Sequence, residues 1–556
     1  MERVIMGEYD VIIIGAGFAG PVAAKKCADA GLKTLMIERS KNVGEKVISG
    51  LTIPIYGFLF GPAFIRDGNP PIERPVDGII NYILKDIDKV DIEIDNSLRI
   101  PKPFSPIYAF GYNAYCKPFC EWEARKAIEA GAELRTSTVV TDVIMEAGYV
   151  KGILTETGEK IRSRIVINAE GSQGLVAIKS GIRKRYPPET ISLADVYDYE
   201  MPKDLLDEIF GFSLRFCWGW DEQRCAPPLG HGNGLMVWPY RESIHYMHDQ
   251  CLRIDTANVP NLKKRLKEYH NNITSKLPWW KDDVEPHARL RAHMWESFEI
   301  FVGLNEELRS MPNHTHGMIL VGDVAGLEST ELCDGVPQAW ISADIAADVA
   351  IESLKANDTS SSFLSRYDKK IKAHPILQWS ISGTNRFNLR YAQREHDLKT
   401  LRRYVHNGWG LGALTHLSTP LVNTICRHII RDPFVIMKWR KMFYRYYYNW
   451  HHARFDYSQS PASSEKEYTG RKEDERFRIC FRSWQVFMMI LIPLIWLLAI
   501  LSLPLSKTLN PAMKLLLPVI EPLYEGILRL VAPLSERLSR RKVDRVARTD
   551  PSLFEV

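Results

Sequence analysis

Residues 9–39 read YDVIIIGAGFAGPVAAKKCADAGLKTLMIER, and this stretch decides the fold. The β-branched run at residues 11–14 predicts a strand that is buried on both faces of a parallel sheet. The pattern G-x-G-x-x-G follows, and an alanine-rich helix comes after it. The three glycines permit a tight turn, the approach of backbone to a pyrophosphate, and close packing of the helix on the strand. We therefore predict a unit that binds the phosphates of a dinucleotide at the helix N-terminus.

A second strand and an acidic residue complete this unit. Residues 33–37 predict the strand, and Glu38 stands at its end. A carboxylate at this position accepts a hydrogen bond from a ribose 2′-hydroxyl, so it favours a ribose diol over a 2′-phosphate. It does not distinguish NAD from FAD. The alternative is a glycine turn in another kind of α/β protein.

The bulk properties exclude several classes of function. The chain has 556 residues and a formal net charge of +5, so we expect more than one domain and no nucleic-acid partner. Its nine cysteines are scattered, with no C-x-x-C pair and no closely spaced run for an iron–sulfur cluster, so we predict no metal site. The odd number of cysteines and the lack of a signal peptide ahead of Tyr9 favour a reduced, cytoplasmic setting.

The middle of the chain predicts further strands around this unit. The loop at residues 40–50 leaves the second strand and can pass over a bound cofactor. Alternating segments at 79–85 and 90–94 predict antiparallel strands, and residues 133–145 predict one further strand. Residues 180–296 are rich in tryptophan and alternate in places, so we expect the antiparallel sheet of a substrate domain there.

Two later stretches resemble a known family. RIVINAEGSQG at residues 164–174 resembles the A-D-G-x-x-S signature of FAD-dependent oxidoreductases, with Glu170 in place of aspartate. Residues 317–350, with GMILVGDVAG and a helix rich in small residues, resemble the G-D-A-A-G element of the same flavoproteins. With the N-terminal stretch, they resemble the glutathione-reductase-type FAD fold over residues 7–375. The branch is that of FixC, electron transfer flavoprotein:ubiquinone oxidoreductase and the geranylgeranyl reductases.

The resemblance implies FAD as the cofactor. In these flavoproteins the aspartate of the later element contacts the ribityl chain or its phosphate. The helix after it directs its N-terminus at the pyrimidine end of the flavin, where it stabilises negative charge. The residues that we expect to bind FAD are Gly15, Ala16, Gly17, Phe18, Ala19, Gly20, Glu38, Arg39, Lys46, Ser49, Gly50, Val140, Ala169, Glu170, Gly171, Gly322, Asp323, Gly335 and Val336. The catalytic residues stay unknown, because no acid, base or nucleophile stands out.

Some details separate the branches of this family. GEKVISG at residues 44–50 resembles the FixC and quinone-oxidoreductase loop, and it lacks the cysteine that is frequent in geranylgeranyl reductases. MVWPY at residues 236–240 resembles an aromatic element of the latter group. The chain does not carry the cysteine cluster with which the quinone oxidoreductase ends, and FixC leaves that cluster to a ferredoxin-like partner. Cys116 and Lys117 stand in place of a family arginine that contacts the flavin.

The C-terminal third predicts contact with a membrane. Residues 427–457 interleave arginine and lysine with tryptophan and tyrosine, which suits a lipid interface, and a helix packed on the FAD domain is the alternative. Residues 458–475 form a polar linker. Residues 484–505 carry no charge and are long enough to cross a bilayer. Basic residues on both sides favour a helical hairpin with both ends in the cytoplasm.

The predicted fold class is α/β: a Rossmann-like FAD domain with an antiparallel-sheet substrate domain, then a helical region with a membrane segment. The FAD domain covers residues 1–180 and 297–375, with a partly inserted sheet at 51–115. The substrate domain covers 181–296, the helical interface region 376–457, the linker 458–475 and the membrane anchor 476–556. The anchor places the protein at the cytoplasmic face of a membrane.

The function predicted from these observations is membrane-bound electron transfer. A soluble donor, either an electron transfer flavoprotein or a ferredoxin-like protein, would pass electrons through FAD to a membrane quinone. One alternative is the reduction of isoprenoid double bonds in a lipid, as in geranylgeranyl reductases. Another is a flavoprotein-derived scaffold that recruits partners to the membrane.

Overall fold

The computed structural model of the chain describes residues 6–45, 50–86, 91–95, 98–100, 109–187, 190–219, 233–253, 264, 267, 270–271, 274–275, 277, 279–298, 306–328, 334–377 and 424–452. The N-terminal elements are β1 (Met6–Ile14), α1 (Gly20–Asp29), β2 (Thr34–Ile37), β3 (Gly50–Pro54), α2 (Ile55–Phe60), α3 (Ala63–Asp67), β4 (Arg74–Val76), β5 (Gly78–Asp86), β6 (Asp91–Asp95), β7 (Gly111–Tyr115), α4 (Cys116–Glu129), β8 (Glu133–Arg135), β9 (Val140–Glu146), β10 (Tyr149–Thr155), β11 (Lys160–Asn168) and α5 (Leu175–Lys179).

The later elements are β12 (Ser192–Glu200), α6 (Lys203–Ile209), β13 (Ser213–Gly219), β14 (Asn233–Pro239), β15 (Ser243–Arg253), a π-helical segment (Trp279–Val284), β16 (Arg289–Phe298), α7 (Glu306–Ser310), β17 (His314–Thr315), β18 (Met318–Leu320), a 3-10 turn (Gly322–Ala325), α8 (Val336–Lys355), α9 (Ser361–Ala373) and α10 (Val435–His452).

The first sheet has the strand order β17-β18-β11-β1-β2-β8. From β18 to β8 the neighbouring strands are parallel, and β10 and β9 extend the sheet from β11 in antiparallel fashion. The apolar run of β1 is buried, as the prediction of a strand covered on both faces requires. The segment predicted as one strand at residues 133–145 forms two strands, β8 and β9, because the chain turns around Ser137, whose φ is +50°.

The second sheet has the order β16-β12-β15-β14-β13-β5-β6. Its neighbours are antiparallel except for β13 and β5, which are parallel, so β5 and β6 from the predicted insertion at 51–115 join this sheet. One face buries Tyr197, Val237 and Tyr246 under the π-helical segment. The opposite face buries Val196 and Trp238.

The third sheet is small and has the strand order β3-β7-β4. It approaches the second sheet at Gly50, where an added Cβ would lie 1.8 Å from the hydroxyl oxygen of Tyr240. It is joined to the first layer by α2, which packs on α8. The third sheet therefore brings one face of the substrate sheet up to the dinucleotide-binding unit.

The C-terminal helix α10 packs on this body through one face. Its buried side chains include Trp439, Met442, Tyr446 and Trp450, at helical spacing. The hydroxyl of Tyr446 donates to the carbonyl oxygen of Ile65 over 2.9 Å. The inner face of the predicted interface region thus belongs to the core. Within the described residues no helix is long and apolar enough to cross a membrane, and the predicted membrane segment at 484–505 and linker at 458–475 lie outside them.

Candidate cofactor-binding site

The turn after β1 can be built only with glycine at two places. Gly15 has a φ of +96°, and an added Cβ would lie 2.5 Å from the carbonyl oxygen of Ala169. An added Cβ on Gly20 would lie 1.9 Å from the carbonyl oxygen of Gly15. A Cβ on Gly17 would meet no protein atom within 4 Å. The outer glycines therefore serve close packing, and Gly17 leaves open space beside the backbone where a ligand can approach.

Glu38 and its neighbours border this turn. The carboxylate of Glu38 accepts hydrogen bonds from the backbone N–H of Ala16 (3.0 Å) and of Ser40 (2.9 Å). The guanidinium of Arg39 donates to the side-chain oxygen of Gln173 over 3.0 Å. The backbone N–H of Thr138, close to Val140 at the start of β9, donates to the carbonyl oxygen of Glu38 over 3.0 Å. The structure therefore gathers these predicted residues along one rim of the turn.

The segment after β11 contributes its backbone. The Cα of Glu170 would lie 3.4 Å from a Cβ on Gly15, so the two turns are in contact. The carboxylate of Glu170 accepts from the N–H groups of Val176 (3.0 Å) and Ala177 (2.9 Å) and from the amide of Asn168 (2.7 Å). This side chain caps α5 and is occupied within the chain. A cofactor at this position would meet the main chain of Glu170.

A second helix N-terminus meets the first one. Gly322 follows β18 with a φ of +65°, and its N–H donates to the hydroxyl oxygen of Ser342 on α8 over 3.0 Å. An added Cβ on Gly322 would lie 3.6 Å from Ala19 and 3.5 Å from Ala339. The starts of α1 and α8 therefore converge outside the carboxyl ends of parallel strands, which is where α/β sheets bind their ligands. Asp323 lies at this junction, with Oδ1 3.3 Å from the Cβ position of Gly335.

The same junction contains a buried carboxyl group that the sequence did not single out. Tyr56 donates its hydroxyl to Oδ2 of Asp334 over 2.6 Å, and the N–H of Val336 donates to Oδ1 over 3.3 Å. Burial raises the pKa of Asp334 from 3.8 to about 7, although these two hydrogen bonds oppose the rise. Asp334 and Tyr56 are separated by 278 positions in the chain, so no local pattern points to the pair.

A second polar cluster, also missed from the sequence, lies where Gly50 meets the substrate sheet. The N–H of Gly50 donates to Nδ1 of His245 over 2.9 Å, and Nε2 of His245 lies 3.2 Å from Oδ1 of Asp198. Arg291 donates to the other oxygen of Asp198 over 2.6 Å. Burial raises the pKa of Asp198, but His245 and Arg291 outweigh burial and the pKa ends below its ordinary value.

Two tyrosines cover this cluster. The rings of Tyr115 and Tyr240 stack with centroids 4.4 Å apart. The hydroxyl of Tyr240 is buried and has no hydrogen-bond partner among the described residues. Because a buried phenol is costly to leave unpaired, this group is available to a ligand that reaches Gly50.

Four groups of predicted residues come together at one edge of the first sheet. They lie on the turn from Gly15 to Gly20, at the end of β2, at the end of β11 and at the start of α8. Lys46 and Ser49 lie outside the described residues. In the part of the chain that the structure describes, no group of three or more potential ligands could hold a metal ion. The open space at Gly17 can accommodate the pyrophosphate of a dinucleotide. The two convergent helix N-termini can stabilise negative charge on this pyrophosphate and at a second position on the same ligand.

Comparisons with known proteins agree with this arrangement. A family profile described as FAD dependent oxidoreductase matches residues 10–329. A digeranylgeranylglycerophospholipid reductase of Methanocaldococcus jannaschii is 28% identical over 375 residues, which are 66% of this chain and 82% of that protein. The FixC protein of Escherichia coli K12 is 24% identical over 389 residues, again 66% and 82%. The structure of a geranylgeranyl bacteriochlorophyll reductase-like protein of Thermoplasma acidophilum has a TM-score of 0.52 at 20% identity, covering 75% of this chain and all of that one.

Proposed function

This chain belongs to the FAD dependent oxidoreductase family, and from this we propose that it passes electrons from a soluble donor protein through FAD to a quinone in a membrane. The donor would be an electron transfer flavoprotein or a ferredoxin-like protein. FAD is the cofactor, and its flavin supplies the electron-transfer chemistry when it is bound.

The observation that carries the membrane part of the proposal is the uncharged apolar stretch at residues 484–505. A stretch of this length and composition suits a membrane helix, and an anchor is useful when the electron acceptor is dissolved in lipid. The outer face of the preceding helical region supports it, because Arg427, Arg431, Lys438 and Lys441 are exposed there beside Phe434, which is 55% exposed. Basic side chains with an exposed aromatic ring suit an anionic lipid surface.

The second candidate is the reduction of isoprenoid double bonds. It is supported by the similarity to the archaeal digeranylgeranylglycerophospholipid reductase, which extends over 82% of that protein. The buried hydroxyl of Tyr240, without a partner among the described residues, is the specific structural observation in its favour. Reduction of a carbon–carbon double bond needs a proton at carbon, and a buried phenol at the substrate sheet could supply it.

The first experiment is anaerobic reduction of the full, detergent-solubilised chain, followed at the flavin absorption bands. Rapid reoxidation by a short-chain quinone analogue supports electron transfer to quinone. Reoxidation only by a polyprenyl lipid would replace this proposal with the second candidate. A preparation without flavin bands after incubation with FAD would contradict both.

A matched variant separates the two candidates. Tyr240→Phe keeps the stacked ring and removes only the hydroxyl. If the chain reduces double bonds with Tyr240 as the acid, reduction of a polyprenyl lipid should slow by about 100-fold. If the acceptor is a quinone, which can be protonated from water at its exposed oxygens, reoxidation should be little changed.

The hairpin topology is part of the same proposal. Basic residues precede the segment at 484–505 and follow it at 537–548, so both ends are expected in the cytoplasm. A tag placed at Val556 should be labelled from the cytoplasmic side of sealed vesicles. Labelling from the far side only would contradict the hairpin and the assignment of both ends to the cytoplasmic face.

A further inference from the structure

Asp334 and Tyr56 form a buried pair at the start of α8. Asp334 is 8% exposed, and its two carboxylate oxygens accept from the Tyr56 hydroxyl (2.6 Å) and from the N–H of Val336 (3.3 Å). Tyr56 is also approached by the side-chain amide of Gln338, at 3.5 Å. The pair thus connects α2, beneath the third sheet, with the first turn of α8.

Two acidic side chains lie beside this helix start in the part of the chain that the structure describes. Oδ1 of Asp323 and the side chain of Glu328 come within 3.3 Å and 3.5 Å of the Cβ position of Gly335, the residue next to Asp334. Among the described residues, the influences on the charge of Asp334 are burial, Tyr56 and the backbone of Val336, and no basic side chain acts on it. Burial raises its pKa to about 7, so the group is divided between its two protonation states near neutral pH.

An additional negative charge at this place would shift that balance. The N-terminus of α8 attracts anions, but a carboxylate of Asp334 already occupies part of its field. Two like charges in one buried site disfavour ionisation of both, and the cheaper response is protonation of the carboxylate. A change in the charge of a bound cofactor would therefore change the protonation of Asp334.

We propose that Asp334, oriented by Tyr56, takes up one proton from solvent when electrons reach the bound flavin and releases it when the electrons leave. This inference rests on the proposed function for the source and destination of the electrons. A pair of electrons arrives from the soluble donor, and the carboxylate becomes a neutral carboxyl group, in addition to any proton held by the cofactor itself. The same proton is lost to solvent when the acceptor removes the electrons, so charge and protons balance over one turnover.

The test is the pH dependence of the flavin midpoint potential, measured by spectroscopic redox titration of the full chain in detergent. Above about pH 7, the potential of the unaltered protein should fall more steeply than that of Asp334→Asn. The expected difference is one proton per two electrons, a tenfold change in the reduction equilibrium per pH unit, or about 30 mV per pH unit.

Two further variants make the result specific. Tyr56→Phe removes a hydrogen bond that lowers the pKa of Asp334, so the steep part of the curve should begin at higher pH. Asp344→Asn is the matched control, because Asp344 lies on the same helix but is half-exposed and paired with Lys26. Its curve should coincide with that of the unaltered protein.

An infrared difference spectrum, reduced minus oxidised, gives a readout that does not depend on activity. A protonated-carboxyl band should appear on reduction and should be absent in Asp334→Asn. Flavin-loaded Asp334→Asn with an unchanged slope and an unchanged carboxyl band would overturn the inference and leave the proposed function standing. A protein that binds no FAD would instead contradict the proposed function, so the two failures can be told apart.

Discussion

The N-termini of α1 and α8 meet at the same edge of the sheet, but they are built differently. The start of α1 is formed by backbone and glycine, and Glu38 beside it accepts hydrogen bonds from two backbone N–H groups. The start of α8 holds Asp334, a buried carboxyl group whose pKa lies near neutrality. A pyrophosphate has a fixed charge and needs only fixed dipoles. A redox group changes its charge, and a titratable side chain beside it can compensate.

The largest expected effect tests whether the turn at the start of α1 depends only on the small size of its glycines. Gly20→Ala places a Cβ 1.9 Å from the carbonyl oxygen of Gly15, so backbone must move. We expect a loss of about 5 kcal/mol in the free energy of unfolding, at the upper end for single substitutions. Urea denaturation of the full chain in detergent measures it.

Gly17→Ala is the matched control for this prediction. Its Cβ would meet no protein atom within 4 Å, so the apoprotein should keep its unfolding midpoint. FAD affinity should nevertheless fall by about 100-fold, or about 3 kcal/mol, because the methyl group occupies space beside the backbone that the pyrophosphate needs. Normal FAD affinity in Gly17→Ala would show that the phosphates bind elsewhere.

The α1 terminus could be predicted from the sequence because all its determinants are local. Strand, glycines, helix and acid fall within residues 9–38, and each spacing has one physical meaning. The α8 terminus was predicted only in part. The resemblance located Asp323 and Gly335, but the partner of Asp334 comes from a helix 278 positions away. The Gly50–His245–Asp198 cluster was missed for the same reason, since it depends on the pairing of β12 with β15.

The second prediction concerns the free energy of burying Asp334. Its folded pKa is about 7 against an ordinary 3.8. Below pH 4 the group is protonated in both the folded and the unfolded chain and contributes nothing. As pH rises from 4 to 7 the unfolded chain loses the proton first, so stability falls, by about 4 kcal/mol at 1.4 kcal/mol per pKa unit.

Asp334→Asn removes this dependence. In the apoprotein, the variant should gain about 4 kcal/mol relative to the unaltered chain between pH 4 and pH 8. Urea unfolding at several pH values measures the difference. If the free energies of unfolding of the two proteins change with pH in parallel, Asp334 ionises in the folded apoprotein near its ordinary pKa. The start of α8 would then hold no group that titrates near neutral pH, and the difference from the start of α1 would disappear.

The third prediction distinguishes the role of the Glu170 side chain from that of the Glu170 backbone, beside the start of α1. Glu170 was expected to face the cofactor, and its carboxylate caps α5 through Val176 and Ala177. Glu170→Ala should lower the free energy of unfolding by about 1–2 kcal/mol, the value of a lost helix cap. FAD affinity should change little, because only the main chain is expected to meet the ligand. A large loss of FAD affinity in a stably folded variant would assign the side chain to the cofactor.

The C-terminal helix α10 shows that amino-acid composition alone does not predict which surface a helix packs against. Its mixture of basic and aromatic residues predicted a lipid interface, with packing on the FAD domain as the alternative. The structure buries Trp439, Tyr446 and Trp450 in the core and leaves Lys438 and Lys441 exposed. Tryptophan and tyrosine suit a core and an interface equally well, since their large rings can be buried in either environment. Only the position of each ring on the helix could decide between them.

The smallest effect concerns what holds the two helix starts together. Lys26 on α1 lies 2.9 Å from Asp344 and 2.8 Å from Asp348 on α8, but all three side chains are partly exposed. Asp348→Asn should therefore lower the free energy of unfolding by only about 0.5 kcal/mol, and less at high salt. The two helices pack on each other, and Ala23 on α1 and Ala347 on α8 are both fully buried, so we expect close packing to contribute more to this contact than the ion pairs. Urea unfolding at low and high salt measures the effect. A loss of several kcal/mol in the free energy of unfolding, or a shift in the flavin midpoint potential, would contradict this expectation. Either result would show that the ion pair helps to set the distance between the two helix N-termini, and hence the charge that each presents to the cofactor.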